Sequence, residues 1–513
     1  MIHRESVTIE NAVKPSAILQ TLRNDYRNGI IGKTDFLLNA GELYLDNHLL
    51  LRAMALIQMV DIEVLLPEQS FHYIRLKQKI VSLPSTQNSI CTLNMIVKNE
   101  ELTIADALDS VDTIMDEIVI CDTGSTDNTI HLAEQYGVTI VHDLWQDDFS
   151  RARNTAIEAS TGDWIFWMDA DDRLEEKSAE PLRQLWRSGK PQGAAFCIVN
   201  EREYAAPVEF IQVRLFPRNE RIRFEQRVHE QIMFSIARQK IPFSRHPEIR
   251  IRHNGYRTNE IHIKKAKRNK PLLLAEIGKN PHDPTLQLSL ADCLNILGEN
   301  DKAKYYYSRI TMNEKNWLVN SDVFVQAHIN LAKSYTRDGD TYNAKRYFLR
   351  SLYLDNTRIE ACYALGRIFL DEGNEIKAMF YLMKSARITP PLRLTAVDNL
   401  IIRLESIYYL VELLIARLRY EEAERILLPA IKAYPMVPQY YNQLGRIYRL
   451  QNKIARSALY FTMSAEISPE RNDPAYEGMA EIYNLLGDPE TAAQFLQKKG
   501  NKDTRSINMQ YSP

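Results

Sequence analysis

Asp169-Ala170-Asp171-Asp172 follows the apolar run Trp164-Ile165-Phe166-Trp167-Met168, so three carboxylates cluster where a strand should end. Hard divalent cations such as Mg²⁺ and Mn²⁺ take carboxylate oxygens and keep water or substrate phosphate as further ligands, and an Asp-x-Asp at a strand end supplies that half-shell. The same residues also suit an acidic strand-to-helix turn in which an aspartate caps the next helix. A second segment, Asp122-Thr123-Gly124-Ser125-Thr126-Asp127-Asn128-Thr129, ends another apolar run. Its carboxylate can accept from a nucleobase or ribose, and it equally reads as a helix start with Gly124 in a tight turn. In the third, Asp148-Phe149-Ser150-Arg151-Ala152-Arg153-Asn154, one or two guanidiniums stand before a helix, where phosphate is commonly held. Each segment alone leaves both readings open.

The elements that must position these residues are short and alternate. SICTLNMIV, DEIVICD, VTIVHD and DWIFWMD read as strands, with ELTIADALDSV and DNTIHLAEQYG as helices between them. Strand and helix in alternation predict a doubly wound sheet whose ligands sit at the carboxyl ends of its strands, where the polar clusters lie. Trp164 and Trp167 are three apart on one strand, face opposite sides and read as packing residues. Before this region, residues 1–86 carry Leu37, Leu38, Leu43, Leu49, Leu50, Leu51, Met54 and Leu56 at helical spacing, closing near Pro67 and Pro84.

From residue 266 onward strands vanish and a repeat takes over. Tyr335 with Ala344, Phe369 with Ala378, Leu414 with Ala423 and Tyr483 with Ala492 recur at about the tetratricopeptide period, with Leu365-Gly366, Leu444-Gly445 and prolines 390, 435 and 469 in register. A looser unit surrounds Leu297-Gly298 and Ala303, giving five or six units, and Pro390-Pro391 marks an inserted loop. Tyr305, Tyr306, Tyr307, Tyr440 and Tyr441 are assigned to repeat core and groove wall. The domains expected are therefore 1–86 helical, 87–265 sheet-containing and 266–513 repeats.

Composition narrows the function. The 513 residues hold 64 Lys+Arg against 66 Asp+Glu, so no global field draws the chain to nucleic acid or an anionic bilayer. Five cysteines, scattered and without a CxxC pair, fit neither a disulfide framework nor a zinc site and point to a reducing cytoplasm. The N-terminus has no apolar signal-peptide core, and LIIRLESIYYLVELLIARL is broken by Arg and Glu, so neither a signal peptide nor a membrane span is expected.

Together and in order, NMIVKNEE at 94–101, VICDTGSTDNT at 119–129, DDFSRARN at 147–154 and FWMDADD at 166–172 resemble the inverting nucleotide-sugar glycosyltransferases of glycosyltransferase family 2. Arg214-Leu215-Phe216, Phe224-Glu225-Gln226-Arg227-Val228-His229-Glu230 and His253-Asn254-Gly255-Tyr256, followed by the repeats, are similar to the sublancin-type peptide S-glycosyltransferases that modify glycocin bacteriocin precursors. The resemblance implies α/β plus all-α architecture: an A-type glycosyltransferase fold, with a nucleotide-sugar-binding doubly wound mixed sheet, then a tetratricopeptide solenoid. It places Asp122 and Glu100 near the nucleoside, Arg153 near the diphosphate, Asp169 near ribose or metal, and Asp171 as principal ligand of Mn²⁺ or Mg²⁺. It further implies a UDP-sugar donor carrying glucose or N-acetylglucosamine, a precursor peptide accepting through Cys or Ser, inversion at the anomeric carbon, and a homodimer.

Chemistry adds a base. If the acceptor is a hydroxyl, Glu230 is the candidate, whereas a thiol, with a pKa of about 8.5, needs less help. His229 and His253 are each offered as a third protein ligand to the metal, as diphosphate contacts, or as structural hydrogen-bonding residues. Two other readings keep the same residues: a transferase acting on a cell-surface glycan or another protein, and a repeat scaffold with an inactive transferase domain. The second of these predicts eroded acids, yet Asp122, Asp169, Asp171 and Glu230 are all present.

Overall fold

The computed structural model describes residues 14–82, 89–201, 207–254, 259–393, 397–469 and 472–498. Pro84, Gly255, Tyr256 and the first thirteen residues, which carry part of the expectations above, lie outside the described residues. The chain divides into two compact units, one of residues 1–306 with 392–396, the other of 307–391 with 397–513.

The first unit begins with α1 (Pro15–Arg27), α2 (Lys33–Asp46), α3 (Leu50–Gln58) and α4 (Pro67–Ser82), whose apolar faces bury Leu37, Leu38, Leu45, Leu56 and Leu76 together. Pro67 does not close these helices. It opens α4, a position where the missing N–H costs nothing. A buried ionic network ties these helices to the sheet region. Arg23 donates to Asp112 Oδ2 at 2.6 Å and Asp109 Oδ1 at 3.0 Å, Arg52 donates to Asp112 Oδ1 at 2.6 Å, and the Tyr44 hydroxyl donates to Asp112 Oδ1 at 2.6 Å.

The sheet comprises β1 (Cys91–Val97), β2 (Glu117–Asp122), β3 (Thr139–His142), β4 (Trp164–Trp167), β5 (Asp172–Leu174), β6 (Gly193–Asn200), β7 (Val208–Pro217) and β8 (Phe243–His253) in the order β3-β2-β1-β4-β7-β6-β8-β5. β1 is parallel to both β2 and β4, and β4 then pairs antiparallel with β7, so the sheet is mixed. Helices α5 (Ile104–Asp109), α6 (Thr129–Glu134), α7 (Phe149–Ala159), α8 (Ala179–Arg187) and α9 (Met233–Arg238) connect the strands. Burial on both faces explains why the strands read as continuous apolar runs. Leu93, Met95, Trp164 and Phe166 pack on one face with Leu108, Leu182 and Trp186, while Ile165 and Trp167 pack on the other with Ile157, Val213 and Phe216. The two tryptophans thus face opposite sides, as their spacing requires. The chain passes from β1 to β2 on one side and reaches β4 on the other, so a crevice opens at the carboxyl ends of β1 and β4. α10 (Asn259–Lys279) and α11 (Pro284–Ile296) follow, and α12 (Asn300–Met312) spans the boundary between units.

The second unit continues with α13 (Asn316–Val319) and five helix pairs: α14 (Ser321–Arg337) with α15 (Thr341–Leu354), α16 (Ile359–Asp371) with α17 (Glu375–Arg387), α18 (Asn399–Ala416) with α19 (Tyr420–Ala433), α20 (Pro438–Leu450) with α21 (Ile454–Ile467), and α22 (Asp473–Leu485) with α23 (Pro489–Lys498). Ala344, Ala378, Ala423 and Ala492, the small residues of the repeat, are all buried. Gly366 permits the close crossing of α16 and α17: a Cβ there would stand 2.8 Å from Leu382 Cγ, an overpacking worth about 1–3 kcal/mol. Rings twelve residues apart stack in four of the pairs, Tyr335 on Tyr347, Phe369 on Tyr381, Tyr448 on Tyr460 and Tyr483 on Phe495, with centroids 5.4–5.7 Å apart. Tyr307, Tyr440 and Tyr441 are buried, and Tyr305 is 57% exposed. Among the described residues no helix is long and apolar enough to cross a membrane.

Candidate active site at the carboxyl ends of the strands

The loops after β1 and β2 are clasped together by the residues that make those segments recognisable. Asn99 Oδ1 accepts from the Thr126 amide at 2.8 Å, Glu101 Oε2 accepts from the Asn128 amide at 3.1 Å, and the Glu100 amide donates to Thr129 Oγ1 at 2.7 Å. Asn99 takes φ 57° and Gly124 φ 104°, left-handed conformations that suit Asn and Gly. Most of both segments therefore builds the loops. What remains is the buried Asp122 carboxylate at the tip of β2 and the Glu100 carboxylate, which accepts from Thr103 Oγ1 at 2.9 Å. Burial pushes the Glu100 carboxyl above the usual carboxylate range, and the charges of Asp171 and Asp169 add to the effect.

The two arginines before α7 separate by environment. Asp148 caps the helix by accepting from the Arg151 amide at 3.0 Å, and Arg151 turns outward to Asp143. Arg153 is buried, donating from Nε to Glu230 Oε1 and from Nη2 to Asp169 Oδ1, both at 2.7 Å. The same helix grips the segment that carries Glu230. Asn154 exchanges two hydrogen bonds with the backbone of Phe224, at 2.9 and 3.0 Å, and the Phe149 amide donates to the Arg227 carbonyl at 2.8 Å. That segment turns sharply, with φ 74° at Gln226 and 54° at His229, each costing about 1 kcal/mol. Glu230 is thereby fixed beside Arg153, while His229 is exposed and stands outside the acidic group described next.

Asp169, Asp171, Asp172 and His253 bring one potential ligand atom each to within 4.8 Å of one another. Antiparallel pairing of β5 with β8 sets Asp172 opposite His253, whose Nδ1 lies 2.8 Å from Asp172 Oδ1 and 3.4 Å from Asp171 Oδ1. Arg214, one residue beyond the pairing of Leu215 with Phe166, is buried and donates to Asp172 Oδ2 at 2.9 Å. The Trp167 ring carries both arginines, with Arg153 Cζ 4.1 Å and Arg214 Cζ 3.7 Å from its centroid, and its Nε1 donates to the Val213 carbonyl at 2.9 Å. Trp167 is thus more than a packing residue, because cation–π contact holds the guanidiniums in place.

The charges in this cluster do not balance. Burial opposes the charge of Asp169, but Arg153, Arg214 and His253 together outweigh it and hold the carboxyl well below the usual range. Burial drives Asp171 the other way: His253 offsets part of the rise, and the neighbouring Asp169 and Asp172 restore it. His253 is raised in turn, since the Asp172 hydrogen bond and the three carboxylate charges exceed its desolvation. Three carboxylates and an imidazole are a donor set that Mn²⁺ or Mg²⁺ accepts, and two of the carboxylates, Asp169 and Asp172, are held by arginines.

Arg214 and Asp172 lie in segments that the sequence makes recognisable but that give neither a role, and Lys265 lies in none. An arginine inside the apolar strand FIQVRLF is a signal in hindsight, because a buried guanidinium demands a carboxylate partner. Lys265 on α10 is half-buried, and desolvation lowers its pKa against the pull of Asp171, Asp169 and Glu100. It had no such signal, being one lysine in a basic helix.

Residues 92–241 match the model of Glycosyl transferase family 2, and residues 325–358 and 359–391 match that of the Tetratricopeptide repeat. A TPR repeat-containing protein of Synechococcus elongatus is 34% identical over 215 residues, 40% of this chain and 52% of the relative. The SPbeta prophage-derived glycosyltransferase SunS of Bacillus subtilis is 27% identical over 255 residues, 49% of this chain and 60% of the relative. The aligned stretches thus span between about half and three fifths of these relatives. Among solved structures, MamA of Desulfovibrio magneticus RS-1 covers 34% of this chain and 92% of its own, at 18% identity and a TM-score of 0.29. The chain is thus built from a glycosyl transferase family 2 domain over residues 92–241 and tetratricopeptide repeats over 325–391.

Proposed function

We propose that the chain transfers a sugar, glucose or N-acetylglucosamine, from a UDP-sugar to the Cys thiol or Ser hydroxyl of a peptide such as a bacteriocin precursor, with inversion. The observation that carries this reading is the meeting of Arg153, Asp169, Asp171, Asp172 and His253 at the carboxyl ends of β1 and β4, beside the tip of β2 that bears Asp122. The peptide acceptor rests on the similarity to SunS and on repeats, which present long surfaces suited to extended chains. Five buried cysteines, all free, fit a reducing cytoplasm.

In this reading Asp122 and Glu100 receive the nucleoside. Arg153, fixed by two carboxylates and an indole, offers positive charge to the diphosphate without reorganising, which is where preorganised electrostatics contribute most. Asp171 and His253 would hold Mn²⁺ or Mg²⁺, which supplies Lewis acidity toward the departing diphosphate. Glu230 takes the acceptor proton. Its Oε1 already accepts from Arg153, so proton transfer falls to the other oxygen, and an acceptor that ionises readily, such as a thiol, asks least of it. Tetratricopeptide pairing could also support the homodimer expected from the resemblance.

The test is direct. Purified protein is incubated with Mn²⁺ or Mg²⁺, a panel of UDP-sugars and peptides bearing Cys or Ser, and masses are read. One added hexose or N-acetylhexosamine on a peptide is the expected result. UDP release without a modified peptide moves the acceptor to a glycan or another protein, and no turnover of any donor removes the transferase reading.

A further inference from the structure

Asp122 is held by a residue that its own segment does not contain. Its Oδ1 accepts from the Ser125 amide at 2.9 Å, and its Oδ2 faces Nδ1 of His142 at 3.3 Å. His142 is the register partner of Asp122 on the parallel strand β3, so the sheet itself delivers the imidazole. The carboxylate is 6% exposed and the imidazole 69%. The ring is therefore no part of the core, and its contact with Asp122 lies at the surface where a ligand would arrive. The loop beyond β3 is stapled along the loop beyond β2: the Asp143 amide donates to the Asp122 carbonyl at 3.0 Å and the Trp145 amide to the Thr123 carbonyl at 3.3 Å. Between those two contacts stands Leu144, 76% exposed, with its Cδ2 3.7 Å from where a Cβ on Gly124 would be. An exposed imidazole, an exposed leucine and a glycine without a side chain thus border one buried, oriented acceptor.

We propose that His142 is a positioning residue for Asp122, and that the pair sets the nucleobase preference of the donor site. This rests on the nucleotide-sugar reading above. A carboxylate is a pure acceptor: it pairs with the imide N3–H of uracil and opposes the bare N3 lone pair of cytosine. That choice is sharp only while the carboxylate is kept from turning. Because the carboxylate accepts, Nδ1 of His142 carries the hydrogen, and an Asn amide at position 142 can replace that donor where a methyl group cannot.

The experiment is isothermal titration of the full chain with UDP and with CDP in the presence of Mn²⁺, for the wild type, His142→Ala and His142→Asn. The expected result is a wild type that prefers UDP, a His142→Ala variant that binds UDP about five- to tenfold more weakly with CDP changed less than about twofold, and a His142→Asn variant that recovers most of the preference. Equal weakening of both nucleotides, or an unchanged ratio in His142→Ala, overturns the proposal and leaves the nucleotide-sugar reading standing. A wild type that binds neither nucleotide overturns both.

Discussion

Two buried ionic clusters lie in the first unit, and they differ in how their charges close. Around Asp112 every carboxylate is answered: Arg23 and Arg52 share it, Arg23 also takes Asp109, and the Tyr44 and Tyr136 hydroxyls donate to what is left. Burial opposes the charge of Asp112, yet the two guanidiniums hold its carboxyl below the ordinary value, while burial keeps Asp109 above its own despite Arg23 and Tyr136. Around Asp171 the arginines are spent on Asp169 and Asp172, and Asp171 with Glu100 is pushed the opposite way. The first cluster is a weld. The second holds Asp171 and Glu100 above the usual carboxylate range even with His253 and Lys265 beside them, which is what the proposed cation and diphosphate would relieve. Burial of charge does not by itself mark function.

The sharpest break of this comparison is Asp112→Ala. It leaves two buried guanidiniums without their carboxylate and should cost about 3–5 kcal/mol in chemical denaturation, with transfer per folded molecule unchanged. Asp171→Asn should do the reverse: transfer falls about 100- to 1000-fold, a chelator reproduces the loss in the wild type, and Tm holds or rises by about a degree. Full transfer in Asp171→Asn would return the acidic group to a structural turn. Glu230→Gln should lower turnover about tenfold with a hydroxyl peptide and less with a thiol peptide, and equal losses would remove the base role.

The smallest effect separates the clusters by pH, in chelator. Asp171 and Glu100, with raised folded-state values, take protons before the unfolded chain does, so stability rises as pH falls from neutrality toward about 4. Asp112, with a lowered value, keeps its contribution throughout that window and loses it only as pH falls through its folded value, below the ordinary 3.8. A scan of Tm against pH should show a gain of about a degree in the wild type that Asp171→Asn with Glu100→Gln reduces, the remainder falling to Asp109 and His253, whose values are also raised. A gain left unchanged by those substitutions would mean that Asp171 and Glu100 do not carry it.

The helical repeat was legible because its signal is local: Ala344, Ala378, Ala423 and Ala492 are buried at the predicted positions, since a 34-residue unit meets its neighbour the same way each time. The stacked rings twelve residues apart, Tyr335 on Tyr347 and Phe369 on Tyr381, are a local signal of the same kind. In the sheet the strand ends followed from alternation and the mixed sheet from the resemblance, and Pro67 misled because proline opens helices as readily as it closes them. Between the two arginines of the third segment, spacing offered no choice and only the resemblance favoured Arg153; in the structure the two differ because Arg153 is buried against Glu230 and Asp169.

By itself, the order of residues determined which chemistry was available: carboxylates at the ends of apolar runs, guanidiniums before a helix, and repeats after residue 266. Only the tertiary structure decided which of them meet. His253 reaches Asp172 across 81 residues because β5 pairs with β8, Arg214 arrives through β7, and His142 reaches Asp122 through the register of β2 with β3. The reason is physical: residue type and local spacing set what a side chain can do, but the electrostatic field that it feels is summed over neighbours that strand pairing alone brings within a few ångströms.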